Sequence, residues 1–216
     1  MALAIFDLDN TLLVGDSDYL WGVFLAEQGV VDGAWYQQQN QKFFQEYKEG
    51  RLDIHAFLRF SLAPLKEQEL AVLQRLRERY LQERIEPLIT PAALELVDGH
   101  RRAGDTLMII TATNAFVTAP IARRFGIDHL IATEPEVIAG RYSGAVSGTP
   151  SFREGKVLRL EQWLAEHGGT LAGSTFYSDS HNDLPLLERV TYPVAVNPDD
   201  TLRMIAEQRG WSVLRF

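Results

Sequence analysis

Ala2-Leu3-Ala4-Ile5-Phe6-Asp7-Leu8-Asp9-Asn10-Thr11 opens the chain and decides its fold. A short apolar run cut off by acids and a threonine reads as a strand buried on both faces, over residues 2–8. Its C-terminal end must then feed a loop that carries Asp7 and Asp9. Ionised carboxylates are costly to bury unless something compensates them. In open α/β sheets that edge is also where ligands bind. The first residues therefore point to metal-assisted chemistry on an anionic substrate.

Beyond this strand the pattern changes. From about Asp16 to Glu86 apolar residues recur at three and four spacing, as in Tyr19, Leu20, Val23 and Phe24 and again in Phe57, Leu58 and Leu62. Gly29 to Gly33 and Glu49-Gly50 break the helices. Leu65 to Ile85 reads as one long charged helix. After Pro87 helices and strands alternate. Pro91 to Arg102 is a helix capped by Thr90. Thr106 to Thr111 is a second buried strand, and Asn114 to Phe125 a helix closed by Gly126. Leu130 to Thr133 is a short strand, Glu136 to Val146 a hairpin, and Phe152 to Glu166 a helix. Ser174 to Ser178 is a strand ending on Asp179. Tyr192 to Val196 and Trp211 to Leu214 are the last strands, around a helix over about Asp200 to Gln208. This alternation predicts an α/β protein with a Rossmann-like doubly wound parallel sheet. The domain expectation is a core of 1–15 and 87–216 with a helical insertion over 16–86.

Composition narrows the function. The 216 residues carry a net charge of −8, with 46% hydrophobic residues and no cysteine. A core is affordable in size, while disulfides and thiolate metal sites are excluded. Without a basic field nucleic acid is not an expected partner. No apolar stretch reaches membrane-spanning length, so no membrane partner and a cytoplasmic location are expected.

Parallel strands bring their C-terminal ends to one edge. Asp7, Asp9, Thr111, Asp179 and, four residues later, Asp183 can therefore meet although far apart in sequence. Two or three carboxylates at one point suit a hard cation bound through oxygen, and Mg²⁺ with some waters and a phosphate is the natural choice. An aspartate beside such a phosphate can attack phosphorus, and a second can move protons. Thr111, the backbone N–H groups from Ala112 onward and Lys156 are the candidate donors to phosphoryl oxygens. As a simpler reading, Lys156 would be a solvated helix lysine and the acids strand-end caps.

In this order the pieces resemble the haloacid dehalogenase superfamily. Asp7-Leu8-Asp9-Asn10-Thr11 looks like its first motif, Thr111 its second, Lys156 its third, and Tyr177-Ser178-Asp179-Ser180-His181-Asn182-Asp183-Leu184-Pro185-Leu186-Leu187 its fourth. The resemblance spans the chain and implies roles. Asp7 is the nucleophile and Asp9 the general acid/base. Thr111, Ala112 and Lys156 hold the phosphate. Mg²⁺ sits on Asp7, the backbone carbonyl of Asp9 and Asp179, with Asp183 holding a metal water or Lys156. An Asp at the second acidic position is the phosphatase pattern. The insertion is similar to the C1-type cap of the phosphoserine phosphatase-like branch.

That branch places an acid for a substrate amine where this chain has Asp16. It also carries an arginine for a substrate carboxylate, which by the Glu49-Gly50-Arg51-Leu52 stretch falls near Ser61; Arg59 is close but on another helical face. An amine-bearing ester without a carboxylate fits better, and L-histidinol phosphate is the leading expectation. Phosphoserine, or transfer to an acceptor other than water, is the alternative. Asp16, Asp18 and Asn114 are the candidate substrate-binding residues. The competing reading is helix capping, mostly by Asp18. His181 is read as a rim or structural residue rather than a base. The expected partner is a small phosphate ester, and the chain is expected to be a monomer or homodimer.

Overall fold

The computed structural model describes residues 2–215. Its centre is a seven-stranded sheet with strand order β4-β3-β2-β1-β5-β6-β7. The strands are β1 (Leu3–Phe6), β2 (Thr106–Asn114), β3 (His129–Ile138), β4 (Arg141–Ser147), β5 (Thr175–Ser178), β6 (Tyr192–Val196) and β7 (Ser212–Leu214). Only β4 runs antiparallel to its neighbour. Strand β1 lies in the middle because all four of its residues are buried, so both faces and both edges can be covered. Phe6 pairs in register with Ile109 on one side and Tyr177 on the other. The chain first builds outward through β2 and β3, then crosses to β5 on the opposite side of β1. Strand order thus reverses beside β1, and a crevice opens at the C-terminal ends of β1, β2 and β5.

Apolar residues pack both faces. Phe6, Ile109 and Tyr177 belong to one buried cluster, and Ile5, Met108, Phe176 and Ala195 to the other. Fully burying one such large side chain contributes on the order of 1.5–3 kcal/mol. The helices on these faces include α6 (Pro91–Ala103), α7 (Ala115–Arg124), α8 (Glu154–His167) and α10 (Asp200–Arg209). Thr90 caps α6 by accepting from Ala93 N–H, and Asn114 caps α7 by accepting from Val117 N–H.

Among the described residues no strand lies between β1 and β2. That interval holds α1 (Ser17–Glu27), α2 (Gly33–Lys48), α3 (Ile54–Ser61), α4 (Ala63–Glu67) and α5 (Leu70–Tyr80), then a π-helical turn over Leu81–Ile85. An isolated bridge between Leu13 and Ile89 closes the neck of the insertion. Its interior merges with the core rather than standing apart: Trp21 and Tyr80 share a cluster with Phe6 and Phe116.

Four sequence expectations shift. The first strand ends at Phe6, because Leu8 turns into a loop whose carbonyl accepts from Thr11, Leu12 and Leu13 N–H. Strand β2 runs three residues past Thr111, through an irregularity between Ile110 and Asn114. The short strand at Thr133 and the first arm of the hairpin are one strand, β3. The single helix over 65–85 is broken at Gln68, whose backbone is extended (φ −113°, ψ 150°). Helix α4 packs closely on the hairpin at Gly144, where an added Cβ would sit 3.3 Å from Lys66. Among the described residues no helix is long and apolar enough to cross a membrane.

Candidate active site

The strand ends gather the acids. Asp7 follows β1 directly, and its N–H donates to the Tyr177 carbonyl at 2.9 Å. Lys156, in the first turn of α8, is only 3% exposed. Its ammonium donates to Asp7 Oδ1 at 2.9 Å and Asp183 Oδ2 at 2.8 Å. Ser178 adds a hydroxyl donor to Asp183 at 2.7 Å. Asp179 leaves β5 and accepts from Thr11 Oγ1 at 3.3 Å.

Charge is unbalanced here. Burial pushes the Asp7 carboxyl up to about 7; Lys156 opposes this and Asp183 adds to it. Asp179 is driven well above the ordinary carboxylate range by burial, then by Asp7 and Asp183. Burial works against the Lys156 ammonium, yet Asp183 and Asp7 outweigh it and hold its pKa above the usual lysine value. One ammonium among two buried carboxylates and the half-buried Asp179 leaves a deficit of positive charge, which suits a hard dication. Among the described residues no three His, Cys, Asp or Glu side chains form a closed metal cage. Paired carboxylates plus main-chain, water and phosphate oxygens are the set a Mg²⁺ ion takes.

Asp9 faces the same space from one turn further on. Its Oδ1 accepts from Ser17 N–H at 2.6 Å and its Oδ2 from Thr113 Oγ1 at 2.8 Å. Burial and the nearby Asp16 raise its carboxyl to about 7, where a group can both give and take a proton. Thr113 was not expected from the sequence; its hydroxyl holds Asp9 from 104 residues away. Thr111 is buried, and its hydroxyl accepts from Thr113 N–H at 3.2 Å.

A cavity opens over these groups. Its polar end carries Asp7, Asp9, Thr111, Ala112, Lys156 and Asp183. The insertion supplies Asp16, Asp18 and an aromatic wall of Tyr19, Phe43, Phe44, Tyr47 and Phe57. Among the described residues Lys156 is the one cationic side chain on the lining, and no arginine reaches it. Ser61 is buried with its hydroxyl unpartnered, and Arg59 is exposed. Of the other insertion aromatics, Trp21, Phe24 and Tyr36 are buried, while Trp35 is 56% exposed.

The capping expectation is corrected. Asp16, not Asp18, caps α1, with its Oδ1 accepting from Asp18 N–H at 3.0 Å and Tyr19 N–H at 2.8 Å. The Asp18 carboxylate lies on the cavity wall and accepts from Asn114 Nδ2 at 3.3 Å. Burial and Asp9 push it up to about 7. Asn114 stands behind Asp18 and does not line the cavity. Asp179 lies outside that lining too, on an adjoining cavity that shares Asn10, Phe44 and Tyr47 with it. His181 is in neither lining; its Nδ1 lies 2.8 Å from Oδ2 of Asp199, which lines the adjoining cavity.

A family model for haloacid dehalogenase-like hydrolases matches residues 4–188. The chain belongs to this family. As a haloacid dehalogenase-like hydrolase it has relatives that are phosphatases, and it is a phosphatase itself. It is 50% identical to a histidinol-phosphatase of Neisseria meningitidis, over 99% of this chain and 98% of that one. It is 36% identical to a phosphoserine phosphatase of Mycobacterium tuberculosis, over 100% of this chain and 71% of that one. A solved protein of unknown function from Bordetella pertussis Tohama I superposes with a TM-score of 0.93 at 49% identity, covering 99% and 97% of the two chains. A substrate-bound phosphoserine phosphatase superposes with a TM-score of 0.73 at 20% identity, over 99% and 92% of the chains, a likeness of fold.

Proposed function

We propose that this phosphatase is a Mg²⁺-dependent hydrolase of a small amine-bearing phosphate ester, with L-histidinol phosphate as its substrate. One observation carries the choice: among the described residues the cavity offers acids and aromatic rings but no cation free to meet a substrate carboxylate. Lys156 is already held by Asp7 and Asp183. A buried, unpaired carboxylate on the ester would be penalised by several kcal/mol. An ammonium finds Asp18 and Asp16, and an imidazole finds the aromatic wall. The relative at 50% identity bears the corresponding name.

In this reading the residues divide the work. Residues 16–86 act as a cap on a core of 1–15 and 87–216. Asp7 Oδ attacks phosphorus, the ester P–O bond breaks, and Asp9 gives its proton to the leaving alkoxide. Asp9 then takes a proton from water, whose oxygen attacks the aspartyl-phosphate; the P–Oδ bond breaks and inorganic phosphate leaves. Thr111, Ala112 N–H and Lys156 hold the phosphoryl oxygens. Asp7, Asp179 and the Asp9 main-chain carbonyl would hold Mg²⁺, which neutralises charge on the phosphoryl group. Asp183 keeps Lys156 in place. In this reading the reaction runs in the cytoplasm.

Purified protein with Mg²⁺ is expected to release phosphate from L-histidinol phosphate much faster than from phosphoserine at equal concentration. Faster phosphoserine turnover, in keeping with the relative at 36% identity, would overturn the choice of ester. Asp18→Asn should raise KM for histidinol phosphate by about ten- to hundredfold, the worth of a charge-assisted hydrogen bond. It should leave KM for a nitrophenyl ester, which has no amine, near wild type. EDTA should abolish phosphate release and excess Mg²⁺ restore it; activity that survives chelation would remove the metal from the reading.

A further inference from the structure

Arg153 stands three residues before Lys156 with a backbone that non-glycine residues rarely adopt (φ 50°, ψ −120°). It forms no ion pair among the described residues. Its guanidinium instead bridges the two halves of the molecule. Nε and Nη2 donate to Asn182 Oδ1 at 3.0 and 2.7 Å, and Nη2 also donates to the Gly50 carbonyl, in the turn between α2 and α3. Asn182 completes the bridge, with Nδ2 donating to the Tyr47 carbonyl at 3.1 Å. Gly50 is pressed onto the same loops: at φ 66° a Cβ there would stand 2.6 Å from His181 Nε2.

The bridge sits at a mechanically useful point. Tyr47 and Phe152, on opposite sides of it, both line the cavity, with ring centroids 6.2 Å apart. Arg153 leads into the helix turn that carries Lys156, and Asn182 precedes Asp183. Parting the Gly50 turn from the core would open the cavity edge and unload both loops that hold the phosphate-binding lysine. A planar guanidinium fork suits this task, since it reaches two acceptors at once.

We propose that Arg153 is a positioning residue: it latches the cap to the loops of Lys156 and Asp183, so that the closed cavity forms when the cap docks. The proposal rests on the phosphatase chemistry and not on the choice of ester. Only the closed fraction binds ester tightly, so losing the latch raises the apparent dissociation constant by the inverse of that fraction.

The test uses the whole protein and p-nitrophenyl phosphate with Mg²⁺. Arg153→Ala should raise KM by about ten- to hundredfold, with the smaller change in kcat, as expected when charge-assisted hydrogen bonds are lost. Trypsin should cut after Lys48 and Arg51 at least about tenfold faster, because cleavage follows the open population. Gly50→Ala, from the cap side, should give the same pair of changes. The double variant should be no worse than the poorer single one, since both break one contact. Losses confined to kcat with unchanged tryptic cleavage would overturn the latch, as would losses that multiply in the double variant. If histidinol phosphate proves a poor substrate, KM for the nitrophenyl ester and the cleavage rates still decide the matter.

Discussion

Asp7→Asn should lower kcat by at least about 10⁴-fold, as loss of a nucleophile does elsewhere, while the fold survives. The amide is close in size and can still accept from Lys156, but it cannot form an acyl phosphate. Stability changes in two opposing ways. In the folded protein Asp7 titrates at about 7, above the ordinary carboxylate value, because burial disfavours its charge. A folded pKa above the unfolded one means that ionisation weakens the fold as pH rises from about 4 to about 7. At pH 8 the variant escapes this penalty, but it also loses one charged partner of Lys156. The two should nearly cancel, leaving Tm within about 4 °C of wild type, roughly a 1 kcal/mol difference for a chain of this length. Phosphate release and a melting curve in metal-free buffer check both halves. Turnover at the wild-type rate would remove Asp7 as nucleophile.

What the sequence made readable here was local. The buried run before Asp7 declares a central strand, and Thr106–Thr111 and Ser174–Ser178 read as further strands that end on polar residues; that both pair with the first strand is seen only in the fold. The edge they share follows from parallel topology, so Asp7, Thr111 and Asp183 could be set together before any coordinates. What was hidden depends on contacts across long sequence separations. Thr111 and Thr113 look alike in a strand. Only the irregularity after Ile110 sets the Thr113 hydroxyl on Asp9. Asp16 and Asp18 are both plausible caps, and the entry angle of α1 assigns that task to Asp16. The break at Gln68 has no proline or glycine at that position to announce it, and shows only as an extended residue between α4 and α5. Arg153 reads as an ordinary arginine, since its partners are a main-chain carbonyl and an amide rather than acids.

Lys156→Met tests the other half of the site and should injure both function and fold. Methionine fills similar space without charge, so packing around α8 is nearly kept. Asp7 and Asp183 then lose their shared cation, with Lys156 itself 3% exposed in the native protein. Removing one partner of a buried pair is worth about 3–5 kcal/mol of stability, or on the order of 6–20 °C in Tm for this size. Activity should fall by about 10²–10³-fold, as when a preorganised donor to developing negative charge is deleted. The pH dependence separates charge from packing. Without the ammonium the folded-state pKa of Asp7 rises further, so its ionisation weakens the variant more than wild type as pH climbs. The deficit in Tm should therefore be largest near pH 8 and shrink toward pH 5, where the Asp7 carboxyl takes up its proton. Mg²⁺ should recover part of the Tm by supplying positive charge nearby, yet not the lost donor to the phosphate. An equal deficit at pH 5 and pH 8 would mean that Lys156 serves as filling for the core and not as the counter-charge of the acids.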